Sequence, residues 1–417
     1  MDPLHTTSLY NGELAATTVA GAAMVATAER CAEAFAAGAR KHDVDATFAA
    51  EHLEVLRAAG FLKAPIPVEL GGGGVESTHD VVVAASRLAR GDAATAIGVN
   101  MHFAVLLNVI RRWQIARDDG DSTITGAAGQ ALRSIAEGDV VFATAASEPA
   151  PQDLTRPRTV AERDGDGWVV RGRKVFATMA PAATVLNVAL TYRASDGTER
   201  YGFAMVPTSI DGVVFHDDWD ALGMRASASG SVSFDGVRLG PDGVRDGFPA
   251  GTMSVELHER YLASGAFHAA ASLGIAESAH AHVLAGLRRR SDTVLADAHA
   301  TVRLADNVVD LTTMRATLSR AAHAVDDLWA AFPRGAVALA EARAAFAQVQ
   351  AAKAHLNEAG SRVVDRALAL SGGAGYLTAS PLAKAWRDAR AGAFMHPLGA
   401  NRIHDHLTRF VLDAPPS

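Results

Sequence analysis

Two arginines three residues apart give the first sign of chemistry. In SPLAKAWRDAR, Arg387 and Arg390 flank Asp388 shortly after a glycine-rich turn. A spacing of three puts both guanidiniums on one helix face. Phosphate or adenine is held that way, and so is a merely solvated helix. The only cysteine, Cys31, allows neither an intrachain disulfide nor a CxxC metal site, and no metal is expected. The formal net charge of −7 is spread along the chain, which argues against a nucleic-acid surface. A few local arginines still suffice for an anionic small molecule.

These residues need elements to carry them, and the chain changes character twice. With 417 residues it is long enough for two or three domains. From about Ala15 to Gly138, apolar residues recur at helical spacing, as in AERCAEAFAAGARKH and FAAEHLEVLRAAGF. Gly60 stands where a helix-ending glycine is expected. From about Asp139 to Leu239 the segments are short and β-rich, with Asp-Gly turns between them, and predict about six strands. From about Thr252 onward the pattern is helical again and Ala-rich, which suits a bundle. The expected fold class is α+β: an N-terminal α-helical domain over 1–138, a β-barrel or sandwich over 139–245, and a four-helix bundle over 246–417. No apolar run is read as reaching the roughly 18 to 20 residues of a membrane helix. The first residues lack a signal-peptide pattern, so no membrane partner and a cytoplasmic location are expected.

Five segments in order then resemble the acyl-CoA dehydrogenase superfamily over nearly the whole chain. They are GFLKAPIPVELGGGGV, SRLARGDAATAIGVNMH, ASEPAPQD with GWVVRGRKVFATMAPAAT, WDALGMRASASGSVSFDGVRL, and GGAGYLTASPLAKAWRDAR. The resemblance implies a flavin, normally FAD with FMN as the alternative, between the β domain and the bundle. A flavin needs hydrogen-bond donors at its pyrimidine edge and a dry wall. Ser147 and Glu148 of the SEP segment, and Phe176 and Thr178 of the GRK segment, are the residues so implied. Gly372, Gly373, Gly375 and Tyr376 would line the nucleotide or acyl part of the site, with Arg387 and Arg390 beside them. The flavin is expected to be non-covalent, since no cysteine lies near these segments.

The chain departs from the family pattern at two places. FMHPLGANRIHDH puts His396 where many members carry a catalytic Glu. LRRRSDTVLADAHATVRLADN lacks the Phe-Gly and Gln of the segment that anchors the adenine half of FAD. Some members place the base on the first bundle helix, which here offers Glu259, followed by Arg260 as a substrate contact. The first reading is therefore dehydrogenation of an acyl thioester with Glu259 as base and an electron-accepting flavoprotein as partner. The alternative is a two-component monooxygenase, fed by a flavin reductase, that uses His102 and His396. A third is a binding or assembly homologue without catalysis. The Ala-rich helices carry too few large apolar side chains to close a core alone, which predicts a homodimer or homotetramer. Sedimentation at micromolar concentration should show two or four copies; a stable monomer that keeps flavin and activity would overturn this.

Overall fold

Helices open the chain, and polar caps set their ends. The computed structural model describes residues 12–150, 152–289 and 291–413. Helix α1 (Val19–Asp45) begins where the Thr18 hydroxyl accepts from the Gly21 amide, and it buries Met24, Ala28, Cys31 and Phe35 along one stripe. Helix α2 (Ala50–Ala58) stops at Gly60, whose φ of +71° only glycine adopts freely. There the Phe61 amide returns to the Leu56 carbonyl, so the glycine stop read from the sequence is present. Helices α3 (Thr78–Gly91), α4 (Ala93–Asp119) and α5 (Ser122–Glu137) complete this layer. By length and composition α4 is apolar enough to cross a membrane, which corrects the sequence reading. However, 89% of its apolar window is buried inside the protein, so it is a core helix here.

Eight strands follow: β1 (Phe142–Ala145), β2 (Val160–Asp164), β3 (Gly167–Lys174), β4 (Val185–Arg193), β5 (Glu199–Pro207), β6 (Val213–Phe215), β7 (Val232–Leu239) and β8 (Val244–Pro249). They form one sheet in the order β6-β7-β3-β2-β4-β5-β8, with β1 added in parallel to β4. The sequence reading missed β2 and β8. The segment VAERD of β2 has almost no buried face, and VRDGFP of β8 carries Gly and Pro. Only pairing with β3 and with β5 makes them strands. The sheet also runs to Pro249, past the expected boundary at 245.

The last layer holds three long helices, α6 (Val255–Arg288), α8 (Ala298–Ala331) and α9 (Leu339–Ser371). Shorter helices α7 (Ser291–Ala296), α10 (Gly373–Tyr376), α11 (Pro381–Ala389) and α12 (Ala400–Val411) connect and flank them. Small residues let these helices nearly touch the first layer. A Cβ at Gly274 of α6 would stand 2.4 Å from the Ser86 carbonyl oxygen of α3, so only glycine permits this approach.

One buried ionic cluster ties the three layers together. The Lys384 ammonium of α11 lies 2.6 Å from Asp388 and 3.3 Å from Asp92, the N-cap of α4. Asp388 also accepts from the Met224 amide of the β domain at 2.7 Å. Burial alone would raise the Asp92 carboxyl, but Lys384 and the donors from His52 and Thr95 hold it well below the usual range. The same two carboxylates raise Lys384 above its ordinary value against the cost of its burial. Removing one partner of such a cluster strands the others in low dielectric. Lys384→Met should therefore destabilise the protein by about 3 kcal/mol or more, read as a lower urea midpoint; an unchanged midpoint would show that the cluster is dispensable.

Candidate active site

A cavity opens where the three layers meet. Each wall comes from a different element. Met101, Ala104, Val105 and Asn108 form one face of α4. Thr144 of β1 and Asn187 of β4 stand at paired positions of the parallel ladder, and Ala146 and Ser147 follow the end of β1. Arg260, Tyr261, Ser264 and His268 repeat at helical spacing along α6, and His396 closes the floor from the turn before α12.

Four polar atoms on this lining are buried with no hydrogen-bond partner in the protein: Thr144 Oγ1, Asn187 Oδ1, His268 Nδ1 and His396 Nε2. Orphaned buried polar atoms are costly and rare, and their convergence marks a ligand site. Phe176 adds a flat apolar plate. It is 62% exposed, sits at a φ of +55° and meets Trp219 edge-on. An aromatic plate beside free donors and acceptors fits a flavin ring with a small substrate.

The position of His396 is fixed from below. Lys353 of α9 donates to the carbonyls of Met395, His396 and Leu398, the last at 2.8 Å. Tyr261 packs edge-on to the His396 ring at 4.6 Å, and its hydroxyl pairs with that of Tyr201 at 2.9 Å. Burial, then the cations Lys353, Lys174 and Arg402, push the His396 imidazole down to about 3. Burial likewise holds His268 well below its ordinary value. Both rings are therefore neutral at physiological pH. Among the described residues that line the cavity, none is Asp or Glu.

The structure brings together Ser147, Phe176, Arg260 and His396 of the residues expected from the sequence. The others need correction. Glu259 lies one residue, hence about 100°, around α6 from Arg260. The charge of Arg111 tempers the rise that burial gives its carboxyl. Since Glu259 does not line the cavity, it is not placed to act as base. His102 is also structural: its Nε2 donates to the Leu62 carbonyl and its Nδ1 accepts from the Phe142 amide, which uses both ring nitrogens. Glu148 is consumed by Lys174, Thr159 and the Arg158 amide, so it shapes the loop behind Ser147 instead of meeting a ligand. Thr178 bonds Ser229. Arg387 is paired with Asp43 of α1, and Arg390 with Asp365. Gly372 follows α9, and Gly373, Gly375 and Tyr376 belong to α10, where Tyr376 is 87% exposed; none lines the cavity within one chain. Asn187, His268 and Lys353 were missed. Asn187 and His268 are each a lone polar residue in an apolar run (VLNVAL, GAFHAAA), and Lys353 is the one charged residue of QAAKAHL; that was the available signal.

Known proteins match this architecture. Models of the acyl-CoA dehydrogenase N-terminal, middle and C-terminal domains match residues 21–114, 143–237 and 259–407. The chain belongs to the acyl-CoA dehydrogenase family. It is a flavin-dependent oxidoreductase. The amino sugar nitrososynthase DnmZ of Streptomyces peucetius is 33% identical over 96% of both chains. The amino sugar nitrososynthase RubN8 of Streptomyces rubradiris is 34% identical over 87% of this chain and 82% of its own. The structure of KijD3 with FMN and dTDP-3-amino-2,3,6-trideoxy-4-keto-3-methyl-D-glucose superposes with a TM-score of 0.86 at 29% identity, covering 96% of each chain.

A third buried imidazole, that of His102, carries a stability consequence. His102 is held down to about 4 by burial, against an ordinary value of about 6.5. As the pH falls below that ordinary value, the unfolded chain binds a proton that the folded chain refuses, so stability falls with it. His102 alone should cost about 1–2 kcal/mol between pH 7 and pH 5. His102→Asn, which keeps one donor and one acceptor, should flatten the pH dependence of the urea midpoint; an unchanged slope would refute the assignment.

Proposed function

We propose that this protein is a flavin-dependent N-oxygenase acting on the amine of a nucleotide-linked amino sugar. One observation carries the reading: among the described residues the cavity offers neutral imidazoles and no carboxylate. Removing an α-proton from a thioester needs a base facing the flavin, and Glu259 is turned away. Oxygenation of an amine needs the opposite environment. In a dry cavity beside Arg260, burial and the cation both disfavour an ammonium, so the amine keeps its lone pair. His396 Nε2 and His268 Nδ1 are each free to make one hydrogen bond to the nitrogen or its proton. Reduced flavin supplies two electrons and two protons, so that one atom of O2 joins the nitrogen and the other leaves as water. The missing adenine anchor favours FMN or loosely held FAD, delivered by a separate reductase in the cytoplasm. The similarity to amino sugar nitrososynthases points to the same reaction class. Exposed Tyr376, Leu377 and Phe394 favour a homo-oligomer.

The test supplies reduced FMN, O2 and an amino-sugar nucleotide, then follows oxygen uptake and the mass gain of one oxygen. His396→Asn should lower the rate about 10²-fold while flavin binding persists, and Glu259→Gln should leave the rate unchanged. Anaerobic bleaching of bound oxidised flavin by an acyl-CoA, lost in Glu259→Gln, would restore the dehydrogenase reading. No turnover under either condition would leave the non-catalytic one.

A further inference from the structure

A second and larger cleft lies against the same helix. The face of α4 that lines the cavity with Met101, Val105 and Asn108 continues to Val109 and Arg112, which line the cleft. Its other walls are α5 and the ends of the sheet, including Arg245 of β8. Asn108 and Arg112 are one helical turn apart, about 6 Å along the axis. The two spaces are therefore neighbours along one wall.

Arginines mark this junction. Arg245 pairs in the sheet with Phe203, and the Arg260 guanidinium lies 3.3 Å above the centre of the Phe203 ring. Arg245 also feels Arg112 and Arg260 as repelling charges. Burial, then these two neighbours, push the Arg245 guanidinium down to about 10. No carboxylate stands within ion-pair distance of Arg112, Arg245 or Arg260 among the described residues. By contrast, Arg87 and Arg90 are matched by Glu277 and Arg387 by Asp43, while Arg111 donates to backbone carbonyls. Arg163, Arg193 and Arg200 add positive charge to the cleft. Of its two carboxylates, Asp196 is tied to its own turn by the Thr198 amide and hydroxyl, and Asp242 lies among the lining residues. Converging guanidiniums without acids repel one another unless an anion joins them, and the guanidinium fork matches phosphate oxygens two at a time.

We infer that Arg112, Arg245 and Arg260 form a diphosphate subsite, which holds the nucleoside diphosphate of the substrate one helical turn from the cavity that receives the sugar amine. This rests on the amino-sugar reading above and adds the residues that recognise the carrier. Arg260 lines the cavity and not the cleft, but it stands over Phe203, the sheet partner of Arg245, and so would reach the diphosphate from the sugar side. The cleft thereby sets the distance between phosphate and reacting nitrogen, so an unlinked amine would bind without register.

The test is calorimetric titration of the full-length protein with dTDP, thymidine and inorganic pyrophosphate at fixed salt. dTDP should bind about tenfold or more tightly than thymidine, since charge-assisted bonds to phosphate carry the affinity. Arg245→Met and Arg112→Gln should each weaken dTDP about tenfold or more while leaving thymidine and FMN binding unchanged. Arg112 is exposed, so its variant keeps the test open if Arg245→Met fails to fold. Pyrophosphate bound as tightly as dTDP, and equally lost in both variants, would still support the subsite but assign its affinity to phosphate alone. Equal dTDP binding in wild type and both variants, or dTDP no tighter than thymidine, would overturn it. The two proposals fail separately. Amine oxygenation without dTDP binding removes the subsite and keeps the N-oxygenase, whereas arginine-dependent dTDP binding without oxygenation does the reverse.

Discussion

The Lys384 ammonium is the point on which the arrangement depends. It neutralises Asp92 at the start of α4 and Asp388 on α11, and Asp388 in turn holds the Met224 amide of the β domain. Three layers from distant parts of the chain thus share one buried charge cluster. Its partners are satisfied only when all three layers are docked, because an unpaired member in that interior carries the full desolvation cost. The active cavity lies between the same layers. Its walls stay in register because α4, the sheet and the last bundle helices are joined at this cluster.

A second buried lysine performs a similar task for the chemistry. Lys353 gathers three carbonyls of the turn that carries His396. Burial pushes its ammonium down to about 7, and the three carbonyl dipoles oppose that by favouring the charged form. With Tyr261 against its ring, His396 has its backbone held from one side and its imidazole from the other. Its Nε2 atom is left bare toward the cavity. Fixing a polar group without satisfying it stores a hydrogen bond for a ligand, and preorganisation of that kind is what a site must supply in advance.

The proposed departure from dehydrogenase chemistry rests on the turn of a single helix. On α6, Arg260, Tyr261, Ser264 and His268 look into the cavity, whereas Glu259 looks toward Arg111. Under the proposed function the family fold keeps its cavity without a carboxylate facing it, and that space suits a neutral amine. The positive charge of Arg260 and the burial of the cavity act in one direction: each disfavours an ammonium there.

Much of this was legible in the sequence. The change from helical to alternating period near residue 139, the Gly60 stop and the five ordered segments are local signals, and local backbone preference or spacing is enough to produce them. The family, the flavin and the places of Ser147, Phe176, Arg260 and His396 followed from those signals. The sequence could not say which side of a helix a residue would face once its partners arrived. Glu259 and His102 seemed suited to catalysis, but one faces Arg111 and the other has both nitrogens taken by the Leu62 carbonyl and the Phe142 amide. Those partners lie 40 residues away from His102 in the chain, and the β5 residues that turn VRDGFP into a strand are at least as distant from it. Arg387 is likewise decided by Asp43, 344 residues earlier. Spacing alone reports what a residue can do, whereas burial and long-range hydrogen bonds decide what it is free to do, and those exist only after the layers have packed.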